Sequence, residues 1–81
     1  MSDKEEREDW SYTSHIGKDL RGVNLSGANL KRAVFDGADL EGADLRGIRG
    51  RYAIWRKANW WDAKMDDGLR TALTKKWPKE L

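Results

Sequence analysis

A repeat of five residues runs through the middle of this chain and leaves few folds open to it. Taking every fifth residue from Leu20 gives Leu20, Leu25, Leu30, Phe35, Leu40, Leu45, Gly50, Trp55, Trp60 and Met65, with only Gly50 not large and apolar. Two places before each stand Lys18, Val23, Ala28, Ala33, Ala38, Ala43, Ile48, Ala53, Ala58 and Ala63, small or apolar in all but Lys18. The residue just before the central one is often Asp or Asn: Asp19, Asn24, Asn29, Asp39, Asp44 and Asn59. Two places after it Gly recurs, at 22, 27, 37, 42 and 47. A helix repeats near 3.6 residues and a strand at 2, so neither produces this pattern. A period sustained over so many registers identifies a repeat architecture.

The motif, written as Ala-Asn-Leu-Lys-Arg at 28–32, Ala-Asp-Leu-Glu-Gly at 38–42 and Ala-Asp-Leu-Arg-Gly at 43–47, resembles the pentapeptide-repeat family over residues 18–65. The resemblance implies an all-β solenoid, a right-handed quadrilateral β-helix in which each pentapeptide is one side and twenty residues complete a coil. Residue chemistry agrees. The central Leu or Phe points to the axis, the small residue leaves room at the corner, and Gly and Asp/Asn tolerate tight turns. Side chains then stack at n and n+20, giving the columns Leu20–Leu40–Trp60, Leu25–Leu45–Met65, Leu30–Gly50 and Phe35–Trp55. Gly50 predicts a void under Leu30, offset by Ile48 or by Trp55 and Trp60. Residues 18–65 form about two coils, ~10–12 Å long at ~4.8 Å per rung.

So short a tube has two open ends that expose unpaired backbone, and repeat arrays need caps there. Residues 66–81 are expected to supply one as a short capping helix with its tail. Asp66-Asp67 suit its start, Pro78 its end, and Leu69, Ala72, Leu73 and Trp77 share a face. Residues 1–17 read as an N-terminal tail and cap, with Trp10, Tyr12 and Ile16 over the first coil. His15 falls where one more central residue would stand, so it is expected to close that coil.

Composition narrows the function. The 81 residues carry 16 Lys and Arg against 14 Asp and Glu, a net charge of +2. That is too weak to argue for nucleic acid by itself. There is no Cys and one His, so thiolate chemistry and the usual zinc sites are excluded, and neither metal nor cofactor is expected. No apolar run approaches the ~20 residues of a membrane span and the N-terminus lacks a signal peptide's apolar stretch, which predicts a cytoplasmic protein. A nucleophile–base pair would have to use His15, the carboxylates recur by repetition rather than in a cleft, and the glycines precede no helix. The chain is therefore expected not to be an enzyme.

The outer residues divide by side. Lys31, Arg32, Arg49, Arg51 and Tyr52 belong to the 30/50 side, with Arg46, Arg56 and Lys57 on adjoining sides. The opposite side carries Asp19, Asp39, Glu41 and Asp62. Trp61 follows the inward Trp60 and is expected to point outward, and Val34 with Ile54 to form an exposed apolar pair. Arg, Tyr and Trp together have the composition of an interface hot spot. The candidate partner-binding residues are thus Lys31, Arg32, Arg46, Arg49, Arg51, Tyr52, Arg56 and Trp61.

These features predict a small protein-binding module, an inhibitor or adaptor that docks a rigid side on an acidic protein surface. Direct nucleic-acid binding through the basic side is the first alternative. The resemblance supplies the second, because some pentapeptide-repeat proteins bind DNA gyrase by imitating duplex DNA. Those imitators are long acidic rods, whereas this stub is short and its longest charged stretch is basic. An end-to-end homodimer would lengthen the rod without changing that sign.

Overall fold

The computed structural model describes residues 8–79. Its organising feature is a parallel bridge at every fifth residue, always to the residue twenty further on: Asp9 to Asn29, Ser14 to Val34, Asp19 to Asp39, Asn24 to Asp44, Asn29 to Arg49, Val34 to Ile54, Asp39 to Asn59 and Asp44 to Lys64. The chain thus winds through four-sided coils over 9–28, 29–48 and 49–65, with n lying over n+20. No bridge extends into a strand among the described residues, because each side contributes one extended residue before the chain turns. The turns explain why. At most corners the amide of the residue three after the central one donates to the central carbonyl, as in Ala28 N to Leu25 O (2.9 Å) and Ala43 N to Leu40 O (2.9 Å). The second turn residue has positive φ, between 59° and 74° at ten corners, as type II turns require.

Between coils the amides donate to the rung below or above. Leu20 N reaches Asp39 O (2.8 Å), Asp39 N reaches Lys18 O (2.9 Å), and Gly22 N reaches Glu41 O (2.9 Å). The recurring Asp or Asn has a specific task here. Its Oδ1 accepts the amide two residues on, as in Asn29 to Lys31 (3.1 Å), Asp39 to Glu41 (3.2 Å) and Asp44 to Arg46 (3.1 Å). That is the one turn amide the ladder leaves free, so an Asx turn satisfies it.

The core follows the expected columns between Leu25 and Trp60, while Leu20 and Met65 at their ends are only partly buried. Leu25, Leu30, Phe35, Leu40 and Leu45 are fully buried, and Ala28, Ala33, Ala38 and Ala43 fill the corners beside them. A Cβ on Gly50 would meet Ile48 Cδ1 at 3.6 Å and Trp55 Cζ2 at 3.8 Å, so those side chains occupy the space a central residue would take. Gly50 has no positive φ, whereas Gly37 does (+70°) with only Gly17 backbone near its Cβ position (3.9 Å). Gly50→Ala is therefore expected to be neutral or stabilising by up to about 1 kcal/mol, and Gly37→Ala to cost about 1–2 kcal/mol. Urea denaturation of both variants checks the contrast.

The coils begin earlier than the repeat pattern does. Among the described residues bridging is already present at Asp9, within the stretch expected to be tail and cap, with Trp10 and His15 at central positions; His15 closes the coil as expected, whereas the motif does not flag Trp10. Trp10 stacks on His15 (4.4 Å between ring centres), His15 on Phe35 (5.4 Å) and Phe35 on Trp55 (4.6 Å), one aromatic column through three coils. Tyr12 and Ile16 do not cap this end. They lie at turn positions and are 67% and 64% exposed.

At the other end the chain leaves the coil for helix α1 (Asp67–Lys76). Leu73 is buried, with Leu69 and Trp77 packed on the core, whereas Ala72 faces outward, contrary to the expected face. Asp66 precedes the helix without capping it by a side-chain bond. Its Oδ2 instead accepts the Gly47 amide (2.8 Å), which elsewhere in the ladder is taken by the carbonyl of the following coil. Arg70 performs the matching service for acceptors. It donates to Trp61 O (3.1 Å) and Ala63 O (2.8 Å), and Trp60 Nε1 donates to Trp77 O (3.1 Å). The helix therefore replaces the missing next coil both in packing and in hydrogen bonding.

Candidate functional site

The 30/50 side gathers exposed cations on a fixed backbone. Leu30 N donates to Arg49 O (2.7 Å), Arg49 N to Ala28 O (3.0 Å) and Arg32 N to Arg51 O (3.0 Å). The two rungs therefore cannot slide. Asn29, Lys31, Arg49 and Arg51 line a surface concavity of ≈ 510 Å³. Beside it, the Arg32 guanidinium carbon stands 4.7 Å from the centre of the Tyr52 ring, and that of Arg51 stands 6.0 Å from it. Such stacking holds flexible arginines on an aromatic face. Among the described residues, none of Lys31, Arg32, Arg49 and Arg51 forms an ion pair, in contrast to Arg21, Arg46 and Arg56.

The corner that carries this site is strained. Tyr12, Arg32 and Tyr52 occupy one column, and all three have positive φ (61°, 60° and 66°) at the position that Gly holds in most other turns. Left-handed backbone costs a residue with a Cβ roughly 1–2 kcal/mol. Such outliers persist where the surroundings enforce them and tend to mark functional surfaces. Tyr12 and Asn29 were not among the sequence-based site residues. The signal for Tyr12 is present in the sequence, since it heads a column in which three successive coils lack the usual Gly.

Three expected members of the site lie elsewhere. Arg46 is held by Asp44, with Nε at 2.9 Å from Oδ1 and Nη2 at 2.7 Å from Oδ2. A bidentate pair of this kind spends the charge locally. Arg56 pairs with Asp36 of the coil before (3.0 Å) and lies 6.0 Å from the Trp77 ring. Trp61 does not stand free. It is half-buried, meets Trp60 edge-on (5.8 Å between ring centres), and has the Lys79 ammonium 5.3 Å from its ring. The helix and the segment after it cover the surface on which an exposed Trp61 was expected. Val34 and Ile54 are bridged and half-buried rather than open.

Two acids of the opposite side are also committed, while Glu41 and Asp62 are exposed. Asp19 binds Arg21 through both oxygens (2.8 and 2.7 Å), and Asp39 accepts Asn59 Nδ2 (2.9 Å). Hydrogen bonds from the Arg21 side chain hold Asp19 at a pKa of about 2, and those from Arg46 do the same for Asp44.

His15 is bound into the fold rather than poised for chemistry. The Thr13 hydroxyl donates to Trp10 O, so His15 Nε2–H donates to that hydroxyl (2.7 Å) and the lone pair sits on Nδ1. Nδ1 is buried without a hydrogen-bond partner. Burial, aided by the Lys18 charge, pushes the imidazole pKa below its usual 6.5. In the window between that folded value and 6.5 the unfolded chain binds more protons than the folded one. The His15 contribution is therefore whole above about pH 6.5 and is lost as pH falls through the folded pKa. A second loss follows as pH drops from about 4 towards 2, where Asp19 and Asp44 protonate. Thermal unfolding against pH is expected to show both phases, and His15→Phe to remove the first.

A family model described as pentapeptide repeats (8 copies) matches residues 19–49, which span the second coil and the half of the site formed by Asn29, Lys31, Arg32 and Arg49. No curated protein matches the chain. The five-residue bridges, the Asx-supported turns and this match agree, and residues 19–49 are similar to pentapeptide repeats.

Proposed function

We propose that this protein is a non-enzymatic binding module, an inhibitor or adaptor, that docks on an acidic surface of a partner protein through its 30/50 side. The observation that carries this reading is a cluster of cations, Lys31, Arg32, Arg49 and Arg51, that form no ion pair among the described residues, at a corner where three residues accept left-handed backbone. A coil whose backbone is bonded on both sides presents such groups at small ordering cost on binding. The right-handed, four-sided β-helix usual for the family is the architecture proposed for the tube, and the cytoplasm its proposed compartment. No described helix is long and apolar enough to cross a membrane.

Support for catalysis is lacking, since the Thr13 hydroxyl is engaged with a carbonyl and His15 lies within the aromatic column. Imitation of duplex DNA is not favoured either. An imitator needs long, regular rows of exposed, unpaired acids, whereas Asp19, Asp36 and Asp44 are each bound to an arginine and only scattered acids such as Glu41 and Asp62 are left.

The test is partner capture from the native host after nuclease treatment, followed by mass spectrometry. Arg49→Glu with Arg51→Glu is expected to weaken binding of the captured protein at least 100-fold with an unchanged circular dichroism spectrum. Undiminished binding by that folded variant removes the basic side as the docking surface.

A further inference from the structure

Successive rungs of the basic side do not carry equal charge. The bridge position holds Asp9, Asn29 and Arg49 in turn, and the first turn position holds Ser11, Lys31 and Arg51. Passing down the tube, these pairs are acidic, singly basic and doubly basic. The positive field is therefore focused on the second and third rungs, which are the rungs that line the concavity. Asp9 at the far end is kept ionised. Hydrogen bonds from Ser11 lower its pKa, and the Arg49 charge adds to that.

We propose that the second and third rungs form a compact anion site for two neighbouring acidic side chains on an extended segment of the partner protein. This assignment rests on the docking reading above. Acidic residues at alternate positions of an extended segment point to one face about 6.6 Å apart. Lys31, Arg49 and Arg51 can span that interval from rungs ~4.8 Å apart. Arg49 and Arg51 can each take a carboxylate in bidentate fashion. Asn29, able both to donate and to accept, matches the peptide group between the two acids. Further along, Asp9 meets a lysine or arginine of the same segment.

A nucleic-acid strand fits this gradient poorly. It carries a phosphate about every 3.4 Å, so a strand long enough to fill the site would set a phosphate against Asp9.

The experiment uses the whole protein and three probes of similar length at low salt, followed by anisotropy. The first is an extended peptide bearing Glu-Ser-Glu and a lysine four residues away, the second its Gln-Ser-Gln counterpart, and the third an oligo-dT. The Glu peptide is expected to bind saturably, the Gln peptide at least tenfold more weakly. Arg49→Gln with Arg51→Gln should cost at least tenfold for the Glu peptide, and Asp9→Asn should weaken only peptides that carry the lysine. If oligo-dT binds tenfold more tightly than the Glu peptide and depends on Arg49 and Arg51, the docking side stands and the peptide assignment is overturned. Equal binding of the Glu and Gln peptides, or no binding of either, overturns the anion site. Glu-peptide affinity unchanged by the double arginine substitution, with the fold intact, overturns the docking reading itself.

Discussion

Phe35→Ala is expected to bring this protein close to unfolding. Phe35 is fully buried at the middle of the aromatic column, nearly parallel to His15 above and to Trp55 below, with an interplanar angle of 16° to each. Truncating a buried Phe costs about 3–5 kcal/mol, and the cost is greatest where neighbours cannot collapse into the space. Here they cannot, because each ring belongs to a rung fixed by backbone bonds: Phe35 N donates to Ile54 O (2.8 Å) and His15 N to Val34 O (2.7 Å). The variant also loses two stacked pairs worth about 0.5–1.5 kcal/mol each. A chain of this length has about 4–12 kcal/mol of stability in all. Urea denaturation followed by circular dichroism should show the midpoint collapse, with Phe35→Leu recovering more than half of the loss. A shift below about 1 kcal/mol would mean that the column is not the core.

Arg70→Ala combined with Leu73→Ala is the second large effect, because the pair removes both functions of the cap. Leu73 is the buried anchor of helix α1, and its truncation costs about 2–4 kcal/mol. Arg70 satisfies two carbonyls that the last coil would otherwise leave unpaired. Removing such a partner costs about 1–3 kcal/mol for each group that water cannot reach. An uncapped coil also presents a strand edge ready to pair with another chain. The double variant is expected to lose at least about 3 kcal/mol and to associate in a concentration-dependent way on size exclusion. A variant that stayed monomeric and lost less than about 1 kcal/mol would show that the helix does not close the tube.

Much of this molecule could be read from spacing alone, and the failures have physical causes. The register was legible because a residue moved by one place leaves the axis for solvent, so Leu and Ala cannot drift out of phase. The central place of His15 was legible from its register, but coiling as early as Asp9 was not, because Trp10 stands where the motif calls for Leu. The helix was placed within a residue or two, but Ala72 faces water because Leu69, Leu73 and Trp77 already fill the end of the tube. Among the site residues, the pattern separates inside from outside but does not tell which outer cation finds a carboxylate. Arg46 is claimed by the Asx residue of its own turn and Arg56 by Asp36 one rung away. Lys31, Arg49 and Arg51 have Asn29 and further cations beside them, with Asp9 a rung beyond Asn29, and form no ion pair among the described residues. Trp61 was misjudged because its alternation ignores the cap, which returns the chain over that surface.

The claim beneath the whole account is that each residue sits directly over the one twenty places later. The chain contains no cysteine of its own, so paired substitutions report this register without interference. Arg21 and Glu41 are exposed turn residues on successive rungs of one side. Their Cα atoms should stand ~4.8 Å apart, inside the range that a disulfide spans. Arg21→Cys with Glu41→Cys is expected to close quantitatively under mild oxidation and to raise thermal stability. Arg21→Cys with Arg46→Cys, one side out of register, should stay reduced as a monomer. Closure of the second pair in preference to the first would contradict the twenty-residue coil.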